Sequence, residues 1–247
     1  MSDEDVKKEA TANSGSAKAN DANADYYPTK KKGKRLLIVL AVLAVIGVGA
    51  GIGGWIWHEQ PSFCNAICHV PMDAFYETFM EESGVAGLDK WGNAVEEPAS
   101  MLAVTHRESG EDCLACHVPT IGEMVSEGLA WIPGNYYFPL YERTVEDLTE
   151  ARKIENDQFC LNKDCHHVTA DGKAIESRQD LISATASYGK RNPHVDMHSR
   201  SECSDCHKAH RASVNACSEC HNDAPIPKGW LTTTLQKALE NPWGWGD

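Results

Sequence analysis

The longest apolar run in the sequence covers residues 36–57, which hold no charged side chain and consist mostly of Leu, Ile, Val, Ala and Gly. A helix of this length, at about 1.5 Å per residue, spans ~33 Å, enough to cross the hydrocarbon layer of a bilayer. The apolar region of a cleaved signal peptide is shorter, about 7–15 residues, and follows a charged end close to the N-terminus. Because this run is longer and starts only after 35 residues, the pattern predicts an uncleaved anchor, with Trp55 and Trp57 in an aromatic belt at the outer interface.

The polar segment before the anchor predicts the orientation of the chain. Residues 1–29 show no apolar periodicity and predict a disordered tail. A basic cluster follows, made of Lys30, Lys31, Lys32, Lys34 and Arg35. A basic cluster can bind nucleic acid, but beside a membrane span it is better interpreted as a topology signal. The tail 1–35 is therefore expected in the cytoplasm, and everything from His58 onward on the outer side of the cell membrane.

Beyond the anchor, the apolar pattern favours short helices joined by irregular loops. Helical spacing of apolar or polar residues predicts helices over 73–82, 101–107, 120–131, 144–156 and part of 225–247. Residues 83–100 contain Gly and Pro and few apolar residues, so they predict a loop, and 169–192 predict a polar helix or loop. The expected fold class is mainly α with much irregular loop, in which one transmembrane helix precedes a larger domain.

Charge and composition limit the kinds of partner and cofactor expected for that domain. Residues 58–247 hold 15 Lys and Arg against 30 Asp and Glu, a balance of −15, which gives no indication of nucleic-acid binding. An acidic exterior either attracts a basic partner or is only a solvated surface without a partner. The chain also contains 10 Cys and 11 His, and the arrangement of these residues is the strongest signal in the sequence.

Cysteine pairs followed directly by histidine occur five times. The pairs with two intervening residues are Cys113–Cys116–His117, Cys203–Cys206–His207 and Cys217–Cys220–His221. The pairs with longer loops are Cys64–Cys68–His69 and Cys160–Cys165–His166. Two thiols at this spacing can each add to one vinyl group of the same porphyrin, and the following imidazole can ligate its iron, which is the pattern of c-type haem attachment. Because the five pairs use all ten Cys, the sequence predicts five covalently attached haem c groups.

Zinc sites and disulfides are the other uses of paired cysteines. A zinc ribbon needs two such pairs per metal ion and no histidine after the second Cys. A disulfide framework gives no reason for a histidine after every second Cys. The recurrence of histidine at that position therefore favours haem. Attachment of haem c takes place outside the cytoplasmic membrane, which agrees with the predicted orientation.

Six histidines do not follow a cysteine and are candidate sixth ligands of iron. We assign His106, His194, His198 and His210 as distal ligands. His167 adjoins a proximal ligand, so it would serve a neighbouring haem. His58 stands next to the anchor, where it is as much a surface or quinol-site residue as a ligand. The spacing along the chain does not determine which histidine serves which iron.

The anchor and the first half of the chain resemble the NapC/NrfH family of membrane-anchored quinol dehydrogenases. The resemblance covers residues 36–130 and rests on the single span and on two groups of residues. These are Phe63, Cys64, Cys68, His69, Met72 and Tyr76, and then His106, Cys113, Leu114, Ala115, Cys116, His117, Val118 and Pro119. It implies a first haem at the membrane, a nearby Met in an unusual axial arrangement, and oxidation of quinol. The first loop has one extra residue here, and Met72 follows His69 by three residues rather than two.

The last third is similar to the C-terminal haem pair of the cytochrome domain of flavocytochrome c fumarate reductases. The matching residues are Pro193, His194, His198, Cys203, Cys206, His207, His210, Cys217, Cys220 and His221. The resemblance implies that His194, His198 and His210 are axial ligands and that the haems feed a flavin domain. We expect no flavin domain in this chain, so a flavin-dependent reductase would be a separate polypeptide.

These observations predict a membrane-anchored pentahaem cytochrome that oxidises membrane quinol and passes electrons to an extracytoplasmic reductase. The expected domains are a tail (1–35), an anchor (36–57), a membrane-proximal dihaem part (58–159) and a trihaem part (160–247). Met72 crowds the first haem motif, and by position His58, Asp73 and Glu77 are candidate acceptors of quinol protons. The alternatives are a tethered electron conduit without its own quinol site and, with less support, a terminal reductase of a small oxyanion.

Overall fold

The computed structural model describes residues 32–67, 69–117, 119–136, 138, 143–161, 172–196, 198, 201–239 and 241. Within them the α-helices are α1 (Lys32–His58), α2 (Pro61–Ile67), α3 (His69–Met80), α4 (Leu102–Glu108), α5 (Cys113–Cys116), α6 (Ile121–Trp131), α7 (Val145–Arg152), α8 (Asn156–Cys160), α9 (Arg178–Ala184), α10 (Cys203–Cys206) and α11 (Thr233–Lys237). The 3₁₀ helices are Pro98–Ser100, Ala186–Arg191 and Ala216–Glu219, and the strands are β1 (Gly87–Leu88), β2 (Ala94–Val95), β3 (Val214–Asn215) and β4 (Leu231–Thr232). The predicted fold class, mainly helical with many loops, is confirmed for this part of the chain.

Helix α1 confirms the helix predicted from the apolar run and begins four residues before that run. The chain divides into a unit that ends at Ala50 and a unit that begins at Gly51. The segment Gly33–His58 is long and apolar enough to cross a membrane. Residues 33–57 are all exposed in the part of the chain that the structure describes. Such a helix fits a membrane anchor or a signal sequence. The predicted disordered tail and the start of the basic cluster lie outside the described residues.

Several short helices of the second unit begin where the sequence supplies a cap, whereas α4 and α8 begin without a side-chain cap. At the start of α6, Thr120 N–H donates to the Glu123 carboxylate at 2.6 Å, and Glu123 N–H donates to Thr120 Oγ1 at 3.2 Å, which forms a capping box. The single helix predicted over 144–156 is wrong. Lys153 adopts a left-handed conformation with φ 55°, which ends α7, and α8 starts three residues later.

The region 83–100 is more ordered than the predicted loop. Strands β1 and β2 pair antiparallel, with Gly87 opposite Val95. The Asp89 carboxylate closes the turn between them, because it accepts hydrogen bonds from Trp91 N–H at 2.8 Å and Asn93 N–H at 2.9 Å. Gly92 supplies the positive φ of 85° that this turn requires. Two-residue strands are too short to leave an alternating pattern, so the sequence does not reveal this hairpin.

A small apolar core joins the first half of the second unit to its last third. Val95, Met101, Val104 and Ala212 form this core, and Leu231 packs against it. The backbone of residues 208–213 holds the two parts together through these hydrogen bonds: Lys90 N–H to His210 O (3.0 Å), Leu102 N–H to Lys208 O (2.9 Å), Ala103 N–H to Ala209 O (3.0 Å) and Ser213 N–H to Ser100 O (3.1 Å). Strands β3 and β4 then pair in parallel beside it. Buried polar residues outnumber buried hydrophobic ones in the described chain, so much of the stability must come from sources other than apolar burial.

Glu97 links the hairpin region to the C-terminal segment. Its carboxylate lies 2.7 Å from Lys228 Nζ and accepts a hydrogen bond from Gly84 N–H at 2.7 Å. The ion pair with Lys228 and the bond from Gly84 together lower the pKa of Glu97 to about 2. Gly229 lies so close to Glu97 that a Cβ added to Gly229 would be 2.4 Å from Glu97 Cβ. The φ of +76° at Gly229 also favours glycine.

The lowered pKa of Glu97 predicts a specific loss of stability in acid. A lowered folded-state pKa contributes stability above the unfolded value of 4.5, and that contribution is lost as the pH falls through about 2. Glu97→Gln should therefore destabilise the protein at pH 7, and its difference from the wild type should disappear between pH 4.5 and 2. Denaturant titrations at stepped pH measure this, with the exposed neighbour Glu96→Gln as the matched control. A difference that stays constant down to pH 2 would contradict the prediction.

Candidate haem sites

The three short haem motifs share one backbone geometry. In each, the histidine N–H donates to the carbonyl of the first cysteine, at 2.8 Å from His117 to Cys113, 2.9 Å from His207 to Cys203 and 2.9 Å from His221 to Cys217. This bond closes a single helical turn, so the two cysteines are one turn apart and the histidine follows directly. The same turn therefore forms three times where a porphyrin with two vinyl groups would require it.

Polar residues stabilise the start of each of these turns. The Asp112 carboxylate accepts a hydrogen bond from Leu114 N–H at 2.9 Å, and Asn215 Oδ1 accepts one from Cys217 N–H at 3.0 Å. At the turn that begins at Cys203, Glu202 N–H donates to the Asp205 carboxylate at 2.9 Å. These bonds occupy backbone groups that a helix of one turn would otherwise leave unpaired.

The two longer motifs are described only in part. Cys64 lies in α2 and His69 begins α3, while Cys160 ends α8. Cys68, Cys165, His166, His167 and the side chain of His69 lie outside the described residues.

Cysteines of successive motifs lie close to one another. Burial raises the pKa of Cys113 to about 11, and the charge of the nearby Cys64 adds to the shift. Burial also raises the pKa of Cys206, to which Cys217 contributes. These values describe the chain before attachment, since a thioether does not titrate. They place the first motif beside the second, and the fourth beside the fifth.

Cys160 connects the second, third and fourth motifs. A hydrogen bond with the Cys203 thiol, together with burial, raises the pKa of Cys160, and Cys116 is near enough to contribute. The adjacent ion pair fixes this contact: Arg178 binds both oxygens of the Asp157 carboxylate, at 2.9 and 3.0 Å, and donates to Ser201 O at 2.7 Å. The segments that lead into the third and fourth motifs are therefore held together.

Two predicted distal histidines each lie opposite a predicted proximal one. The rings of His117 and His210 are 6.5 Å apart between centroids, with an interplanar angle of 31°. The rings of His198 and His221 are 6.0 Å apart, at 16°. Two imidazoles bound on opposite faces of one iron, each by a metal–nitrogen bond of about 2 Å, would have centroids ~6 Å apart. The residues present therefore fit an axial pair of haem ligands at both places.

Burial favours the neutral form of three candidate ligands, His117, His194 and His210. It lowers the pKa of His210 to about 3, with further contributions from His117 and from Lys90, whose N–H donates to the His210 carbonyl at 3.0 Å. Burial also lowers the pKa of His117 and of His194, in the second case with help from Arg178. Neutral imidazole is the form that binds a metal ion.

Two threonines bind candidate ligands, although sequence reasoning did not single them out. Thr78 Oγ1 lies 2.9 Å from His210 Nδ1, and Thr185 Oγ1 lies 3.0 Å from His194 Nδ1. Asn192 also fixes His194, because its Oδ1 accepts a hydrogen bond from the His194 N–H at 3.0 Å. Thr78 is 132 positions from His210, so no local signal could have revealed that contact.

The remaining predicted site residues lie on α4, beside Trp230 and on α3. His106 lies in the last turn of α4, and the His207 ring contacts the edge of Trp230 at 4.9 Å. Met72 is half-buried on α3, one turn after His69, whereas Asp73 and Glu77 are exposed on the same helix.

His58 belongs to an aromatic cluster at the end of α1. Its ring stacks on Trp55 at 5.7 Å and meets the edge of Phe63 at 5.0 Å. His58 Nδ1 is buried without a hydrogen-bond partner in the described residues, 3.6 Å from the Glu59 carboxylate.

Comparison with known proteins is consistent with this chemistry. The cytochrome c3 family matches residues 144–222, which contain the third, fourth and fifth motifs. The chain is 54% identical over 202 residues to the cytochrome c-type protein Cgr1 of Eggerthella lenta. The aligned region covers 82% of this chain and 89% of that protein. No solved structure matches the chain.

The fold, the motifs and these matches define a multihaem cytochrome c, an electron-transfer protein with covalently bound haem c. The chain belongs to the family of cytochrome c-type proteins that includes the Eggerthella lenta protein. Haem, rather than zinc or disulfides, is therefore the correct interpretation of the cysteine pairs in the matched region.

Proposed function

We propose that this chain is a membrane-anchored pentahaem cytochrome that oxidises membrane quinol and passes the electrons to a separate extracytoplasmic reductase. The observation that carries the proposal is the order of the five motifs, whose thiols are neighbours in sequence order. Bound haem supplies reversible one-electron chemistry at iron. The protein supplies the attachment cysteines, the axial imidazoles and a way in for electrons.

The motif order supports a linear path through the domain. Cys64 neighbours Cys113, Cys116 neighbours Cys160, Cys160 is hydrogen-bonded to Cys203, and the fourth motif neighbours the fifth. Each successive pair of motifs is thus adjacent in space. One end of the path is the motif that follows α1, and the other end is Cys217–His221.

The histidine pairs support the ligand assignments for two of the five haems. We assign His117 and His210 to the second haem and His198 and His221 to the fifth. His194 and His106 are assigned to others among the remaining haems.

The first motif is the proposed place of quinol oxidation. It follows α1 after a short turn, in which Gln60 N–H donates to Trp57 O at 2.9 Å and Phe63 N–H donates to Gln60 O at 2.9 Å. The proposed proton acceptors are His58, whose Nδ1 has no hydrogen-bond partner among the described residues, and the exposed carboxylate of Asp73. The resemblance to NapC/NrfH proteins also favours this place, with Met72 near the iron of the first haem.

The resemblance to the fumarate reductase cytochrome domain suggests the partner. We expect a soluble or membrane-associated reductase that docks near the fifth motif, and the resemblance implies that it is flavin-dependent. The basic cluster before the anchor supports a single-pass topology with the N-terminus inside and the haem domain on the outer side. The competing function is a tethered conduit that receives electrons from another membrane protein.

The experiment that separates these functions compares two electron donors. Met72→Ala combined with Asp73→Asn should lower quinol oxidation by about 10²-fold or more, because a proton acceptor and a group beside the first haem are both removed. Electron transfer from an artificial soluble donor should be unchanged. Purified protein in detergent is used for both assays. Met80→Ala, at the exposed end of the same helix, and Glu82→Gln, at an exposed residue just beyond it, are the controls. Full quinol activity in the double variant would favour the tethered conduit.

A further inference from the structure

Two candidate haem ligands far apart in the sequence share one hydrogen-bond arrangement. In both, the ring nitrogen Nδ1 contacts a threonine hydroxyl that also contacts a helix carbonyl. Thr78 Oγ1 is 2.9 Å from His210 Nδ1 and 2.9 Å from Phe75 O. Thr185 Oγ1 is 3.0 Å from His194 Nδ1 and 2.7 Å from Leu181 O.

The single hydrogen of each hydroxyl determines which way the bonds run. A carbonyl oxygen only accepts, so the Thr78 hydroxyl donates its hydrogen to Phe75 O. It must then accept a hydrogen bond from His210, which places the proton on Nδ1.

The same reasoning holds for Thr185. Its partners besides His194 are Leu181 O and, at 3.0 Å, Asn192 Oδ1. The Asn192 amide is oriented by its NH₂ group, which donates to Ile182 O at 3.1 Å, so its Oδ1 is an acceptor. The Thr185 hydroxyl donates to one of these oxygens and accepts from His194 Nδ1–H.

We propose that Thr78 and Thr185 are positioning residues that hold His210 and His194 in the Nδ1–H tautomer, with Nε2 presented to a haem iron. The inference rests on the assignment of these histidines as ligands in the proposed function. A hydrogen bond from Nδ1–H to an oxygen also makes the imidazole a stronger electron donor, which stabilises ferric iron and lowers the midpoint potential.

Helix α3 gives Thr78 a particular importance. The helix begins at His69 of the first motif, and Thr78, which is 2% exposed, lies near its other end against the ligand assigned to the second haem. Phe75 on the same helix packs its ring against His210 edge to face at 5.2 Å. The segment that follows the first attachment therefore also orients a ligand of the next haem.

A third threonine provides a matched control. Thr149 is 4% exposed, and its hydroxyl binds the helix carbonyl of Glu146 at 3.2 Å and Asn156 Oδ1 at 3.0 Å. Asn156 lies seven positions after Thr149, which is also the separation between Thr185 and Asn192. Like the Thr185 hydroxyl, the Thr149 hydroxyl contacts a helix carbonyl and an Asn amide oxygen. Among the described residues, however, it does not contact a candidate haem ligand.

The test is a redox titration of the purified, haem-loaded full chain, followed by optical spectra and by electron paramagnetic resonance of the ferric protein. Thr78→Val and Thr185→Val should each raise the midpoint potential of one haem. The ferric-to-ferrous equilibrium should change by about tenfold, which is ~59 mV for one electron. Each variant should also change the g-values of one low-spin signal. Thr78→Ser and Thr185→Ser should keep the wild-type values, and Thr149→Val should change none of them.

Several outcomes would overturn the proposal. These are unchanged potentials in both Val variants, the same shift in Thr149→Val, or failure of Ser to retain the wild-type value. If Thr78→Val does not fold, the half-buried Thr185 and both Ser variants still decide the question. His210→Ala separates this proposal from the proposed function. If His210→Ala yields a high-spin haem while Thr78→Val changes nothing, the ligand is correct and only the positioning role fails.

Discussion

The combined replacement His198→Ala and His210→Ala is expected to convert two haems from low spin to high spin, whereas each single replacement should convert one. The reason is the pairing of the rings, since His210 lies 6.5 Å from His117 and His198 lies 6.0 Å from His221. The two distal imidazoles face different proximal ones, so their losses should add. Removal of a sixth ligand leaves iron five-coordinate, which changes both the optical and the electron paramagnetic resonance spectra.

Intact mass must accompany these spectra. The ten attachment cysteines remain in every variant, so each protein should exceed the mass of its polypeptide by five haems. His58→Ala is the control, because we place His58 at the quinol site, and its spectra should equal those of the wild type. A double variant with one high-spin haem would mean that one of the two histidines is not a ligand. A mass that corresponds to three haems would show that the two longer motifs are not loaded.

Met101→Ala is expected to lower the free energy of unfolding by about 3 kcal/mol, within the range of roughly 2–5 kcal/mol found for such truncations in protein cores. Met101 is fully buried, and its neighbours Val95, Val104 and Ala212 come from both halves of the second unit. The cavity would open where residues 208–213 dock on α4, so little collapse can relieve it. The loss should therefore weaken the same docking that brings His210 to His117.

Denaturant unfolding, followed in the far ultraviolet and in the Soret band, measures this effect. Met80→Ala makes the same chemical change at a side chain that is 47% exposed, and it should cost less than about 0.5 kcal/mol. Similar losses in the two variants would contradict the assignment of Met101 to the core. The Soret band should broaden earlier in Met101→Ala, because the ligand segment 208–213 is released with the core.

Local chemistry explains why most helices and the turns of the three short haem motifs can be predicted from the sequence. The apolar run of α1, the capping residues of α6 and the Cys-x-x-Cys-His turns each depend on residues within a few positions of one another. The prediction of one helix over 144–156 failed for a local reason as well. Lys153 takes a left-handed conformation that residues such as Gly or Asn would have signalled, and Lys gives no such signal.

Contacts between distant parts of the chain decided the rest of the site. Residues 208–213 dock on α4 through backbone hydrogen bonds and bring His210 to His117, and the Thr78 hydroxyl meets His210 across 132 positions. Backbone bonds of this kind are independent of side-chain type, so they leave no periodic pattern. The sequence by itself predicted haem c and the motifs that would attach it, because attachment needs only neighbouring residues. Only the tertiary structure decided which imidazoles face each other and which hydroxyls orient them, because those distances depend on how the separated segments pack.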